Sequence, residues 1–182
     1  MSKHRLSLLS VLAAALVLGC VRPAQAIWLG GSHDDFSYAT LSGINAVTVN
    51  MVGFSPRFKR YGLDGAALKA EVEQRLRAAG LKVVGAAEAR TMPEAALVVI
   101  NLNTVESPYY YYSYSAGVKV KQKVPLPSRK GAFVPVTAWS NGQTGVVLPS
   151  NMQDIKGVVM EYVDRFISDY RAQNPQAPST PH

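Results

Sequence analysis

The sequence predicts an α+β domain: a mostly antiparallel sheet of five or six strands with two helices on one face, in the order β-α-β-β-β-(β)-α. Three features point to it. Near the C-terminus Ile155, Val158, Val159, Tyr162, Val163, Phe166, Ile167 and Tyr170 recur at i, i+3, i+4 and i+7, the stripe of an amphipathic helix. Ala95 to Val105 is a long apolar run that turns into alternation, as expected of an inner strand emerging toward solvent. Val118, Val120 and Val124 alternate with Lys119, Lys121 and Lys123, which puts valines and lysines on opposite faces of a half-exposed strand.

The remaining elements follow in chain order. Ile44 to Val52 is rich in β-branched residues and reads as the first strand. A loop at Ser55 to Arg60 then gathers three cations around Phe58. Asp64 is a good N-cap for a helix reaching Ala79, with Leu68, Val72 and Leu76 on its buried stripe and Gly80 as its stop. Leu81 to Val84 is a short strand. After Pro108, Tyr109 to Tyr112 and Tyr114 enter the Val/Lys strand, with Tyr110, Tyr112 and Tyr114 expected on one of its faces. A polar turn at Pro125 to Gly131 leads to Phe133–Trp139, and Asn141-Gly142 before Thr144–Leu148 signals a second hairpin through a type I′ turn. Ser150 with Gln153 suggests a capping box for the last helix, which should end before Asn174-Pro175.

With its first strand, a charged helix closing on Ala79, Gly80, Leu81 and Val83, and the apolar strand near Leu97, the chain resembles a small domain of bacterial envelope proteins. Examples are the N-terminal domain of TolB and the penicillin-binding-protein activator lipoproteins. It is also similar to a group of exported bacterial proteins through Ala138-Trp139-Ser140, Gly142, Gly145, Phe166 and Tyr170. That likeness implies an exported location and this architecture, and no activity.

Residues 1–26 read as a signal peptide: Lys3 and Arg5 precede an apolar run from Leu6 to Leu18 that is shorter than the roughly 20 residues a bilayer requires. Two processing sites compete. Val17-Leu18-Gly19-Cys20 resembles a lipobox, which would leave 1–19 as the signal and lipidate Cys20, whereas Ala24-Gln25-Ala26 suits ordinary signal peptidase. Either way no thiol remains for chemistry, because Cys20 is the only cysteine. The expected location is the periplasm, soluble or held to the membrane through Cys20. Residues 27–42 read as an irregular arm, 43–172 as the single domain, and 173–182 as a disordered tail.

The composition is globular, since 48% hydrophobic residues beside 17% charged ones is far from a disordered chain. Lys3, Arg5 and Arg22 supply three of the formal +7, so a net charge of +4 remains once residues 1–26 are gone. In an exported protein that excess suits an envelope protein or an anionic lipid or glycan surface rather than nucleic acid.

No catalytic set emerges. His33-Asp34-Asp35 is the one cluster with metal or acid-base character, and a Ser-His-acid triad would have to use His33 without a Gly-x-Ser-x-Gly elbow. Glu71 and Glu73 lie two apart on a helix and cannot face one another. The glycines form no phosphate loop, and no cofactor or metal is expected. The tyrosine run (Tyr110, Tyr112, Tyr114) and the lysine row (Lys119, Lys121, Lys123) are the candidate partner-binding residues. Their structural alternatives are cross-strand packing for the tyrosines and protection of an edge strand for the lysines. Trp139 is expected in the core, with ligand stacking as its alternative. The expected function is therefore a non-enzymatic envelope protein that contacts another envelope component. The alternative is a small metal-dependent or hydrolytic periplasmic enzyme using His33 and Asp35.

Overall fold

Buried backbone N–H and C=O groups must find partners within the fold, and the described residues supply them with one mixed sheet and three α-helices. A computed structural model describes residues 40–175. The signal segment, Cys20, His33, Asp34, Asp35, most of the arm and residues 176–182 lie outside the described residues. The elements are β1 (Ala46–Val52), α1 (Gly65–Ala78), β2 (Lys82–Val83), α2 (Ala86–Thr91), β3 (Ala95–Glu106), β4 (Tyr112–Pro125), β5 (Phe133–Val147) and α3 (Asp154–Gln173). Short 3-10 turns stand at Pro56–Tyr61 and Pro149–Asn151.

The strands are ordered β2-β1-β3-β4-β5. The α+β class agrees with the sequence, but the element order differs, with α2 between β2 and β3 and one long β5 in place of two strands, and the sheet is mixed rather than mostly antiparallel: β1 runs parallel to both β2 and β3. The reason is connectivity. The links through α1 and α2 return the chain to the same end of the sheet, which makes the next strand parallel, whereas β3-β4-β5 are joined by turns and are antiparallel.

α1 and α3 cover one face. Leu68, Val72 and Leu76 of α1 and Ile155, Val159, Val163 and Phe166 of α3 share one buried cluster with Val47 and Val49 of β1, Val98 and Ile100 of β3, and Val118 and Val120 of β4. Asp64 caps α1 as expected, accepting from the N–H groups of Ala66 (2.9 Å) and Ala67 (3.4 Å), and Gly80 ends the turn at φ 89. The Lys59 ammonium, then those two N–H groups, hold the Asp64 carboxyl below the ordinary value, so its capping contribution is present above pH 3.8 and is lost as pH falls through the lowered value. α2 is not legible in the sequence, because a six-residue Ala-rich segment carries no readable period. It buries Ala89 with Ala46, Val84 and Ala95, on the face of β1 opposite Val47.

The predicted turn at Asn141-Gly142 does not exist: both residues sit inside β5, and β5 is continuous. Gly142 stands directly across from Gly117. A Cβ on Gly142 would fall 2.9 Å from the Ala116 carbonyl oxygen and 3.1 Å from Gly117 Cα, so the glycine serves close strand approach instead of a turn. The real β4–β5 turn is the polar segment before it, where the Leu126 N–H donates to the Ala132 carbonyl at 2.8 Å.

Both ends of the domain also differ from expectation. Leu41, assigned to the irregular arm, belongs to the core between exposed Thr40 and Ser42: it is fully buried, and the Asn174 amide donates to its carbonyl while accepting from the Gly43 N–H. The capping box does not form either. Pro149 opens a 3-10 turn, the Ser150 hydroxyl donates to Asn151 Oδ1 at 2.7 Å, and α3 starts only at Asp154.

Candidate binding surface on the sheet

Alternation along β4 sends even-numbered residues to the α1/α3 face and odd-numbered ones to the other. The two candidate groups therefore part company.

The tyrosines do not form one exposed face. Ser107-Pro108 makes the β3–β4 turn, closed by the Ser107 N–H on the Tyr111 carbonyl at 2.8 Å, so Tyr109 and Tyr110 lie in the turn and not in a strand. Tyr110 has φ 62, a region bulky residues seldom occupy, and is 85% exposed. Tyr112, by contrast, is 1% exposed and packs edge-on to Phe58, with the Arg57 guanidinium over its ring. Tyr114 is half-buried over Gly145, where any Cβ would meet its ring at 2.9 Å. Its hydroxyl accepts from Gln143, whose carbonyl oxygen accepts from the Tyr162 hydroxyl. Tyr112 and Tyr114 are thus core and network residues, which corrects their assignment to a binding face.

The buried Tyr112 hydroxyl has no hydrogen-bond partner. Burial pushes its pKa up and Glu106 raises it further, although the Glu106 carboxylate does not meet it in hydrogen-bond geometry and is engaged by Arg57 at 3.2 Å. An unpaired buried hydroxyl costs about 1–3 kcal/mol. Tyr112→Phe is accordingly expected to raise the unfolding free energy by roughly 1 kcal/mol, read as a higher denaturant midpoint at unchanged slope.

The lysines face away from α1 and α3. β4 is flanked by β3 and β5, so the reading of the row as protection for an edge strand is incorrect. Lys123 secures a helix end: its ammonium donates to the carbonyls of Ala89 (2.5 Å), Met92 (2.8 Å) and Arg90 (3.0 Å), which uses all three donors on the C-terminal end of α2. Lys119 is exposed and Lys121 half-buried, and neither has a hydrogen-bond or ion-pair partner among the described residues.

Around them the strand register builds a hollow that sequence reasoning missed. Across β3, β4 and β5 lie the rows Val99–Lys119–Ser140, Asn101–Gly117–Gly142 and Asn103–Ser115–Thr144. The middle row has two positions without side chains. It leaves a depression of about 500 Å³ with a backbone floor, rimmed by amides, hydroxyls and Lys119. The available signal was the isolated Gly117 inside an otherwise alternating strand.

Trp139 is buried, as expected of a core residue: its ring lies 5.6 Å from that of Phe166, and its indole N–H donates to Asp169 at 2.7 Å. Among the described residues no group of three or more His, Cys, Asp or Glu side chains converges as a metal site would require, and no helix is long and apolar enough to cross a membrane.

No family model matches the sequence, and no curated protein matches it. Among solved structures the chain is similar to a minor lipoprotein from Acinetobacter baumannii, at 9% identity over 74% of this chain and 97% of that one, with a TM-score of 0.30. A likeness at that level says nothing further about this chain, and the resemblance to TolB and the penicillin-binding-protein activators gains no support from these comparisons.

Proposed function

We propose that the protein is a non-enzymatic binding module of the bacterial cell envelope that holds an anionic envelope surface against the face of β3, β4 and β5 turned away from α1 and α3. Lys119 and Lys121 carry this reading. They are cations without partners among the described residues, on a sheet face beside a hollow of amides and hydroxyls. Elsewhere cations are largely engaged: Arg57 with Glu106, Lys59 with Asp64, Arg75 with Asp164, Lys82 with Glu88 and Lys156 with Glu71. Two unopposed lysines two residues apart on one strand present a fixed pair of charges to phosphate or carboxylate groups. Export, with either an acylated Cys20 or cleavage after Ala26, belongs to the same proposal and would bring the face to such surfaces.

The test is cosedimentation with phosphatidylglycerol vesicles and phosphatidylcholine vesicles at low ionic strength. Binding is expected to the anionic vesicles alone and to weaken as salt rises. Each basic side chain near an anionic surface contributes about 1 kcal/mol, so the Lys119→Glu/Lys121→Glu variant should bind at least roughly tenfold more weakly with its melting temperature unchanged. Equal binding to both vesicle types, or full binding by the variant, overturns the proposal.

A further inference from the structure

β2 is two residues long, so β1 has a strand neighbour on that side only at Ala46 and Val47. The Val84 N–H still reaches the Val47 carbonyl at 2.9 Å, after which Gly85 leads the chain into α2. Along a strand the N–H and C=O of alternate residues point to the same edge. Val47 is bonded toward β2, so Val49 and Met51 also direct their backbone groups to that edge, where no strand among the described residues pairs with them.

The edge is not a bare rim. Two hollows follow one another along it and share Lys69: one of about 540 Å³ beside Thr48, Val49 and Asn50, the next of about 420 Å³ beside Met51 and Gly53. Lys69 and Glu73 of α1 line the first on one side, and Ala86, Ala89 and Arg90 of α2 on the other. The first hollow also extends from the edge over the sheet face turned away from α1 and α3, to Leu97, Lys121 and Lys123.

We infer that the free edge of β1 is a strand-addition slot that takes an extended acidic peptide segment of a partner protein. The backbone argument fixes the conformation. A strand laid here pairs with the Val49 and Met51 groups in sheet geometry, whereas an acyl chain would cover them without supplying partners and leave each group unpaired in an apolar setting. Charge fixes the chemistry. Lys59, Lys69, Arg90, Lys121 and Lys123 line the two hollows against the carboxylates of Glu73 and Asp64, which Arg77 pairs at 3.2 Å and Lys59 at 3.0 Å. Arg90 and Lys121 have no side-chain partner among the described residues. Residues 176–182 contain no acidic residue and two prolines, so they do not suit the slot. The slot opens at the edge of β1, reaches onto the same sheet face as the hollow beside Lys119 and shares Lys121 with that reading, but the unpaired backbone groups of Val49 and Met51 do not depend on it.

The experiment is residue-resolved amide exchange on the full-length chain, with the synthetic peptide acetyl-Thr-Glu-Val-Asp-Val-Glu-Thr-amide and its counterpart carrying Lys at every acidic position. The acidic peptide is expected to slow exchange at Val49 and Met51 at least tenfold, and the basic one to leave it unchanged. Arg90→Glu should weaken the apparent affinity about tenfold, while Lys119→Glu should leave it intact, which separates this slot from the vesicle-binding face. Three outcomes overturn the inference: no protection of Val49 and Met51 at millimolar peptide, equal protection by the basic peptide, or protection before any peptide is added, which would mean that the chain or a second copy already fills the slot.

Discussion

Gly53→Ala should lower the unfolding free energy by at least about 3 kcal/mol, and two separate effects at the end of β1 add to that figure. The residue has φ +81, a conformation that costs an L-residue with a Cβ about 1–2 kcal/mol. The second effect is steric: a Cβ built there would lie 1.9 Å from the Leu102 carbonyl oxygen and 2.9 Å from its carbonyl carbon. Both atoms are backbone of β3, and Leu102 itself is fully buried, so relief requires moving a central strand instead of rotating a side chain. Two other glycines make the comparison. Gly43 has φ +78 with nothing within 4 Å of the new Cβ, so Gly43→Ala should lose only the conformational part. Gly85 has neither a positive φ nor a near neighbour but is the N-cap of α2, where Ala is poorer than Gly, so Gly85→Ala should cost only about 0.5 kcal/mol. Thermal melts of the three variants should rank in that order, with Gly53→Ala about 10 °C or more below the parent. Equal losses at Gly53 and Gly43 would mean that the chain end at Gly53 swings free of β3.

The parts of this fold that the sequence announces are those where a single local rule operates. The stripe from Ile155 to Tyr170 and the Asp64 cap depend on helix geometry alone, and both appear as expected. The Val/Lys alternation likewise tells which side of β4 is wet, since it follows from strand pleat. Sequence and structure diverge wherever a second chain segment decides. Asn141-Gly142 has the chemistry of a tight turn, yet Gly117 opposite makes it a point of close approach within a long strand. The tyrosine run looks like one surface, but the turn at Ser107-Pro108 and the Arg57-Phe58 segment divide it between solvent and core. Lys123 cannot be told from Lys121 by spacing, because the helix end it caps is itself unreadable in the sequence.

The residues behind the likeness to exported bacterial proteins prove to be packing residues: Gly145 makes room for Tyr114, and Phe166 packs at a tilt between Trp139 and Tyr170. Such positions carry the fold and are silent about partners. What distinguishes the two candidate surfaces lies instead in features with no local signature: the glycine pair that opens the hollow, and the shortness of β2 that leaves β1 unpaired. Both follow from register between strands distant in sequence.

Trp139→Ala should cost about 3–5 kcal/mol, the range for deleting a large buried aromatic, because this side chain ties the outermost strand to α3. β5 has β4 on one side only, so its hold on the domain depends on what its inward residues reach. Trp139 is 6% exposed, packs against Phe166 with ring centroids 5.6 Å apart and planes tilted by 56°, and donates its indole N–H to the Asp169 carboxylate at 2.7 Å. It also sits beside the irregularity where Val120 pairs with Trp139 but Lys121 pairs with Thr137, leaving Ala138 to offer its carbonyl to the Thr40 hydroxyl at 2.7 Å. Trp139→Phe divides the effect. It keeps most of the ring contact but strands the Asp169 carboxylate, and a hydrogen bond to a charged group is worth about 1.5–3 kcal/mol. Asp169→Asn retains an acceptor for the indole and should cost less than either. Chemical denaturation of the three variants should therefore rank Trp139→Ala below Trp139→Phe below Asp169→Asn. If the two Trp139 variants were equally destabilised, the hydrogen bond to Asp169 and not the ring packing on Phe166 would be what holds β5 to α3.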